Sequence, residues 1–296
     1  VRSYYGRPVI KEPVWKVPDV PAYLYLGGMA GASSTMALLA GLTGRDRLAR
    51  AGRMAAAVGA TASVGALVHD LGRPMRFLNM LRVVKVTSPL SVGSWILAPF
   101  SGLAGAAAAG DVTGLLPGPA RAAGVLAGAI APAMTTYTAV LLADTAVPGW
   151  HEGYRELPFV FAGSAVSSAG AVGMVAAPAE ATPARRMAVA GAALELAASR
   201  RMEARMGLAA EAYRTGRAGK VLRAARVATA AGAALALPRR RATGLAAGAL
   251  LTLGAIATRY GVFEAGRVTA RDPRFVVEPQ RERVSEQGTE VRGEVH

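Results

Sequence analysis

The chain has 296 residues, 52% hydrophobic and 18% charged, and its 34 Lys and Arg against 19 Asp and Glu give a net charge of +15. Soluble domains carry roughly a quarter charged residues, so so apolar a chain is not a disordered one, and because its basic residues fall between long apolar runs the charge does not mark a nucleic-acid surface. With no cysteine, and with His69, His151 and His296 all away from the middle of an apolar run, the sequence excludes disulfides, iron–sulfur ligation in this chain, thiolate metal sites and a bis-histidine haem.

Taken in chain order, residues 1–19 are polar, Pro-rich and aromatic, an N-terminal tail without the short apolar core of a cleavable signal. Charge-free runs then cover 20–44, 86–110, 122–143 and 157–179, each long enough for a hydrocarbon layer that needs about 20 apolar residues. Weaker spans read at 54–69, at 183–199 with Glu195 inside, at 221–237 and at 242–258. The sequence therefore predicts an all-α integral membrane protein of about eight transmembrane helices over residues 20–263. A polar C-terminal tail follows over 264–296. Residues 200–220 carry Met202, Met206, Leu208 and Tyr213 among six basic residues, the pattern of a helix lying on the membrane surface.

The spans hold the pairs Gly27/Gly31, Gly124/Gly128 and Gly244/Gly248, spaced so that backbones approach closely inside a bundle. With eight spans, 24 of the 34 Lys and Arg fall on the side of the two termini. The positive-inside rule then places both termini in the cytoplasm. Thirty of those basic residues are Arg, which suggests a high-GC bacterial genome and hence a bacterial inner (plasma) membrane.

This topology gathers polar residues on the terminal side. Asp19 and Tyr23 open the first span, and the second ends there with Asp70-Leu71-Gly72-Arg73-Pro74. Arg76 follows in the loop, and Trp95 opens the third span. Tyr137 lies seven residues before Asp144 in the fourth span, which at helical rise is about 10 Å below the interface. Pro132 is expected to kink that helix a turn earlier, with Thr135, Thr136 and Thr138 meeting the freed backbone groups. The next connection holds His151. Singly, each of these reads as a cap, an interfacial ion pair or an aromatic-belt residue. Together they suit a pocket for a quinone headgroup, which needs donors for its carbonyl oxygens and a carboxylate or histidine to relay protons.

These residues resemble the NrfD/polysulfide-reductase membrane-subunit family. The likeness rests on Tyr4-Tyr5-Gly6-Arg7-Pro8, Leu26-Gly27-Gly28-Met29-Ala30-Gly31, Asp70-Leu71-Gly72-Arg73-Pro74, Thr87-Ser88-Pro89-Leu90-Ser91-Val92-Gly93-Ser94-Trp95 and Tyr137-Thr138-Ala139-Val140-Leu141-Leu142. The resemblance implies two four-helix bundles, no haem, and menaquinone or ubiquinone bound beside a ferredoxin-like four-cluster iron–sulfur subunit. A molybdenum- or tungsten-pterin catalytic subunit, such as that of a formate dehydrogenase, would complete the complex. Tyr137 matches the family's tyrosine; Tyr23 stands where a relative has histidine, and Val20 where a polar amide would be. Polysulfide-reductase relatives carry the catalytic arm outside the cytoplasm, whereas the charge count here places the pocket side within it.

The expected roles follow. Tyr137 and Tyr23 hydrogen-bond the headgroup, Asp19 or Asp70 relays protons, and Arg73 orients the carboxylate and stabilises developing negative charge. Arg76, Trp95 and His151 are secondary candidates, and Asp144 and Glu195 mark a proton pathway. No metal site is expected. The alternatives are a proton- or ion-translocating protein and a passive anchor without a redox ligand.

Overall fold

A computed structural model describes residues 9–282. Among these there is no strand, and eight helices of 20 residues or more follow one another. They are α1 (Asp19–Leu42), α2 (Asp46–Leu71), α3 (Pro89–Thr113), α4 (Pro117–Ala143), α5 (Leu157–Ala176), α6 (Ala181–Arg205), α7 (Gly216–Ala236) and α8 (Arg241–Arg271). Short helices at Pro74–Met80 and Pro148–His151 lie in the connections. Several boundaries are written locally. Proline occupies the first turn of α3, α4 and α5, where no N–H is missed. Gly72 and Gly114 end α2 and α3 with φ of 71° and 70°, in the left-handed region that glycine adopts freely.

Five of these helices, α2, α3, α4, α5 and α8, are both long and apolar enough to cross a membrane. Of the remaining three, α6 and α7 are more polar because they carry arginines, and α6 also glutamates, that are paired or face outward. Helix α1 carries no charge after Asp19 and buries much of its length against protein, Ser33 and Ser34 included. Large apolar side chains such as Val58, Leu126 and Leu253 are exposed, as in a protein whose solvent is lipid. The chain is an all-α, multi-pass membrane protein.

Helices α1–α4 form one four-helix bundle and α5–α8 a second, joined along a seam where α1 packs on α5 and α8, and α4 on α5. Small residues allow these approaches. A Cβ on Gly31 would stand 2.6 Å from Thr135 Oγ1, and one on Gly128 2.7 Å from Leu38, so both glycines face inward between α1 and α4. Between α5 and α6 the contact is backbone to backbone. A Cβ on Gly163 would stand 2.5 Å from the Glu195 nitrogen, and one on Gly191 2.4 Å from the Ser167 nitrogen.

Three readings change. Residues 200–220 do not form a surface helix: α6 continues to Arg205, and Gly207 and Gly216, with φ of 52° and 59°, break the chain into short turns before α7. Met202, Met206 and Tyr213 are buried against the second bundle instead of facing lipid. The last span extends past Thr258 to Arg271, so the boundary drawn at residue 264 falls inside a helix whose Val262, Phe263, Ala265 and Ala270 are all buried. The Thr135 and Thr136 hydroxyls donate to the carbonyls of Ala131 and Pro132, not to the Gly128 carbonyl that Pro132 leaves without its usual donor. The Tyr4–Pro8 motif and residues 283–296 of the expected tail lie outside the described residues.

Before α1 the chain forms a strap. Glu12 accepts from Arg271 at 2.6 Å and Arg267 at 3.2 Å, both near the end of α8. The Arg271 hydrogen bond and its neighbour Arg267 hold the Glu12 carboxyl below the usual glutamate range. Trp15 stacks on Trp150 at 5.4 Å, and the Lys16 N–H donates to Asp70 Oδ1 at 2.8 Å, at the end of α2. The strap thereby touches both bundles.

Candidate functional site

Asp19 occupies the first turn of α1, and Tyr23 follows one turn later on the same face. From α2, the His69 Nδ1–H donates to Asp19 Oδ2 at 2.7 Å. The Asp19 side chain is 14% exposed and that of His69 76% exposed, so the pair spans from solvent to the protein edge. Below it the Tyr23 backbone is held by Ser63 of α2, whose hydroxyl donates to the Tyr23 carbonyl at 3.3 Å.

Tyr137 comes from α4. Its hydroxyl and that of Tyr23 are hydrogen-bonded to each other, and the rings meet edge to face with centroids 6.4 Å apart. Both side chains are buried. The start of α3 closes the far side of the Tyr137 ring. A Cβ on Gly93 would come within 2.7 Å of Tyr137 Cε2, so the glycine of the Ser-Pro-Leu-Ser-Val-Gly block is what leaves room for the phenol. Ser91 of that block fixes the preceding loop, accepting from the Lys85 N–H at 3.0 Å and donating to the Val83 carbonyl at 3.1 Å. Two phenols share one hydrogen bond here, which uses one hydroxyl hydrogen and leaves the other to donate elsewhere.

Other candidates are placed differently. Asp70 is engaged by the Lys16 N–H, and Arg73 is exposed at the surface. Arg76 donates to the Leu71 carbonyl at 2.9 Å, across the short turn after α2. Trp95 is 42% exposed on α3. His151 Nδ1 donates to the Ala143 carbonyl at 3.0 Å and the ring stacks on Tyr154, fastening the loop to the end of α4. Asp144 is the exposed residue at the C-terminal end of α4.

Glu195 belongs to a separate buried cluster inside the second bundle, which Arg259 links to the seam with the first. Its Oε1 accepts from Thr258 at 2.6 Å, while Oε2 has no hydrogen-bond partner. Beside it Arg259, 1% exposed, donates to the Phe161 carbonyl at 2.9 Å and the Leu24 carbonyl at 3.3 Å, and its guanidinium lies 3.7 Å from the Phe161 ring centroid. A cavity of about 10 Å³ runs from Glu195 and Thr258 to Glu203, Tyr213 and Arg226. Glu203 is paired there with Arg226 and, at 3.4 Å, with Arg214.

Sequence reasoning missed His69 as Asp19's partner, and it missed Arg259 altogether. The signal for Arg259 was present. It is a single arginine with apolar sequence on both sides, and reading the apolar run on to Phe263 would have placed it inside a span.

Among proteins of known family, the family model described as polysulphide reductase, NrfD, matches residues 9–189. A search of curated proteins finds no match. The matched segment takes in the whole first bundle, α5 and the opening turns of α6, and with them Asp19, Tyr23, His69, Gly93 and Tyr137. More than half of the chain is covered, and the chain belongs to the polysulphide reductase, NrfD family.

Proposed function

We propose that this chain is the quinone-reactive subunit of its complex, passing electrons between a ferredoxin-like four-cluster iron–sulfur subunit and menaquinone or ubiquinone, with Tyr23 and Tyr137 as the headgroup contacts. As a member of its family the chain is a membrane subunit of a redox enzyme complex. The observation that carries the quinone reading is the buried Tyr23–Tyr137 pair with its one spare hydroxyl hydrogen. Neither phenol has another hydrogen-bond partner through its hydroxyl among the described contacts, so the pair can offer that hydrogen to a carbonyl oxygen arriving from lipid. A bound quinone supplies the two-electron, two-proton chemistry. The chain supplies the fixed donor, an apolar surround that excludes water, and a carboxylate and imidazole one turn nearer the surface, where protons arrive.

Asp19 with His69 is the better relay than Asp70, because its residue lies on the Tyr23 face of α1 and its pair reaches solvent. Arg73, Arg76, Trp95 and His151 fall into an outer tier that shapes the rim. A molybdenum- or tungsten-pterin subunit, of formate dehydrogenase type, would complete the complex on the side of the tyrosine pair. The excess of basic residues on that side supports a cytoplasmic position for both termini in a bacterial inner membrane.

The test is titration of the purified subunit with a fluorescent menaquinone analogue. Saturable binding that weakens in Tyr137→Phe is expected; no saturable binding in the wild type would leave a passive anchor.

A second reading, that ion movement accompanies the redox chemistry, is favoured by the Glu195 oxygen without a partner and by the cavity beside it. That space is about the size of one water and leads toward Glu203. Asp144, exposed at the end of α4, shares no contact with this cluster and is a weaker member of the pathway. In proteoliposomes carrying the complex, Glu195→Gln is expected to abolish turnover-linked acidification and spare quinone binding. Equal acidification in both would remove Glu195 from any pathway.

A further inference from the structure

A second surface combines charge with an apolar groove and takes no part in the tyrosine site. Arg155, Glu156 and Phe159 at the start of α5, and Leu194, Ala197, Ala198, Arg201 and Arg205 along the end of α6, line an open cavity of about 440 Å³. Its two ends differ in chemistry. At the polar end three arginines face one glutamate, leaving two positive charges in excess. Glu156 is 6% exposed and is held by Arg205 and, at 3.6 Å, by Arg201, while Arg201 itself remains 76% exposed. Arg155 donates from Nε to the Tyr154 hydroxyl at 2.7 Å and lies over that ring, which fixes its guanidinium at the rim.

Toward the membrane the walls become apolar and stay uncovered: Phe159 is 57% and Leu194 40% exposed. Ala197 and Ala198 form the floor between them, where small side chains keep the groove open. Leu194 and Arg205 are separated by eleven residues of one continuous helix, a distance of about 16 Å at helical rise. That is about half of a hydrocarbon core of roughly 30 Å, the depth of one leaflet.

We propose that this groove is a binding site for an anionic phospholipid, with the phosphate on Arg155, Arg201 and Arg205 and one acyl chain laid along Ala197, Ala198 and Leu194 beside Phe159. The charge and the length are the two arguments for this occupant. A soluble phosphate would use only the basic end, and a protein segment would not call for a bare apolar wall one leaflet deep. The site is independent of the quinone reading, since it shares no residue with the tyrosine pair.

The experiment uses the intact complex in nanodiscs of dioleoylphosphatidylcholine containing a minor fraction of dioleoylphosphatidylglycerol, with lipid retained after delipidation measured by mass spectrometry. Arg155→Gln/Arg201→Gln leaves the buried Arg205–Glu156 pair in place. It is expected to lower retained phosphatidylglycerol by about tenfold or more, given the attraction of each basic residue for an anionic headgroup. Ala197→Trp fills the groove without touching a charge and is expected to lower it comparably, with phosphatidylcholine unchanged in both. Retention equal to wild type in either variant would overturn the proposal. So would protection of the protein against heat by soluble glycerol phosphate as strong as that by the lipid, or loss of the iron–sulfur subunit from the arginine variant with its phosphatidylglycerol intact, which would make the groove a protein-docking surface.

Discussion

Tyr137→Phe is expected to lower quinone-dependent turnover of the intact complex by about a hundredfold, the scale of removing one positioned proton donor from a water-excluded site. The substitution keeps the ring against Gly93 and in edge-to-face contact with Tyr23, so the packing of α3, α1 and α4 around it stays intact. It removes one of two hydroxyls and with it the hydrogen bond between them. Tyr23 is then a lone buried phenol, and the cost of leaving such a group unpaired is about 1–3 kcal/mol. A loss of stability on that scale is readable in thermal unfolding and separable from turnover. Steady-state quinone reduction, with electron transfer into the iron–sulfur subunit measured alongside by a dye, decides the matter. Dye reduction should be normal and quinone reduction slow. Quinone turnover within a factor of about two of wild type, too small for the loss of a proton donor, would remove Tyr137 from the site. Tyr23→Phe tests the same hydrogen bond from α1 and is expected to fall in the same direction.

Arg259→Met is expected to cost the fold about 3–5 kcal/mol, because it removes a buried charged donor from two carbonyls, each such hydrogen bond being worth about 1.5–3 kcal/mol. The guanidinium comes from α8 and donates to carbonyls of α1 and α5, so it ties the second bundle to the first at one point. It also lies close enough to Glu195 for the two charges to interact. Methionine matches much of the stem but leaves Glu195 as a buried carboxylate with Thr258 alone. The Arg259→Met/Glu195→Gln double variant should recover part of the loss, because the uncompensated charge is gone; the shortfall from additivity measures the coupling. Thermal or denaturant unfolding of the purified subunit reads all four corners of this cycle. A shift in Arg259→Met no larger than that of an exposed arginine such as Arg201 would show that the cluster contributes little. The effect is expected to reach the tyrosine site as well, since the Leu24 carbonyl that Arg259 holds is the residue after Tyr23.

The parts of this molecule that depend on periodicity were legible in its sequence. Charge-free runs marked α1, α3, α4 and α5, and the spacing from Asp144 put Tyr137 well inside its helix, where the structure has it. What the sequence could not show were contacts made by the backbone and by distant segments. Arg73 was expected to orient a carboxylate beside it, yet the donor that Asp70 meets is the main-chain N–H of Lys16, which has no side-chain signature. Residues 200–220 misled because an amphipathic pattern is the same whether its apolar face meets lipid or protein. Gly207 and Gly216 were the available warning, since a surface helix has little use for two left-handed residues. Arg259 was lost by ending a span at its last uncharged residue, although a buried arginine with carbonyl and aromatic partners is compatible with a membrane interior.

The strap before α1 has a consequence for the order in which the protein comes together. Glu12 leaves the ribosome before α1 does, and Arg271, which binds it, lies 259 positions later at the end of α8. Trp15 likewise waits for Trp150 and Phe263. Chains fold broadly from the N-terminus as they are made, so the first bundle can assemble while its own leading segment still has only the Asp70 half of its docking site. Closure of the strap is therefore a late event that requires α8 to be inserted and packed, and a chain truncated anywhere before Arg267 would be left with that clasp open.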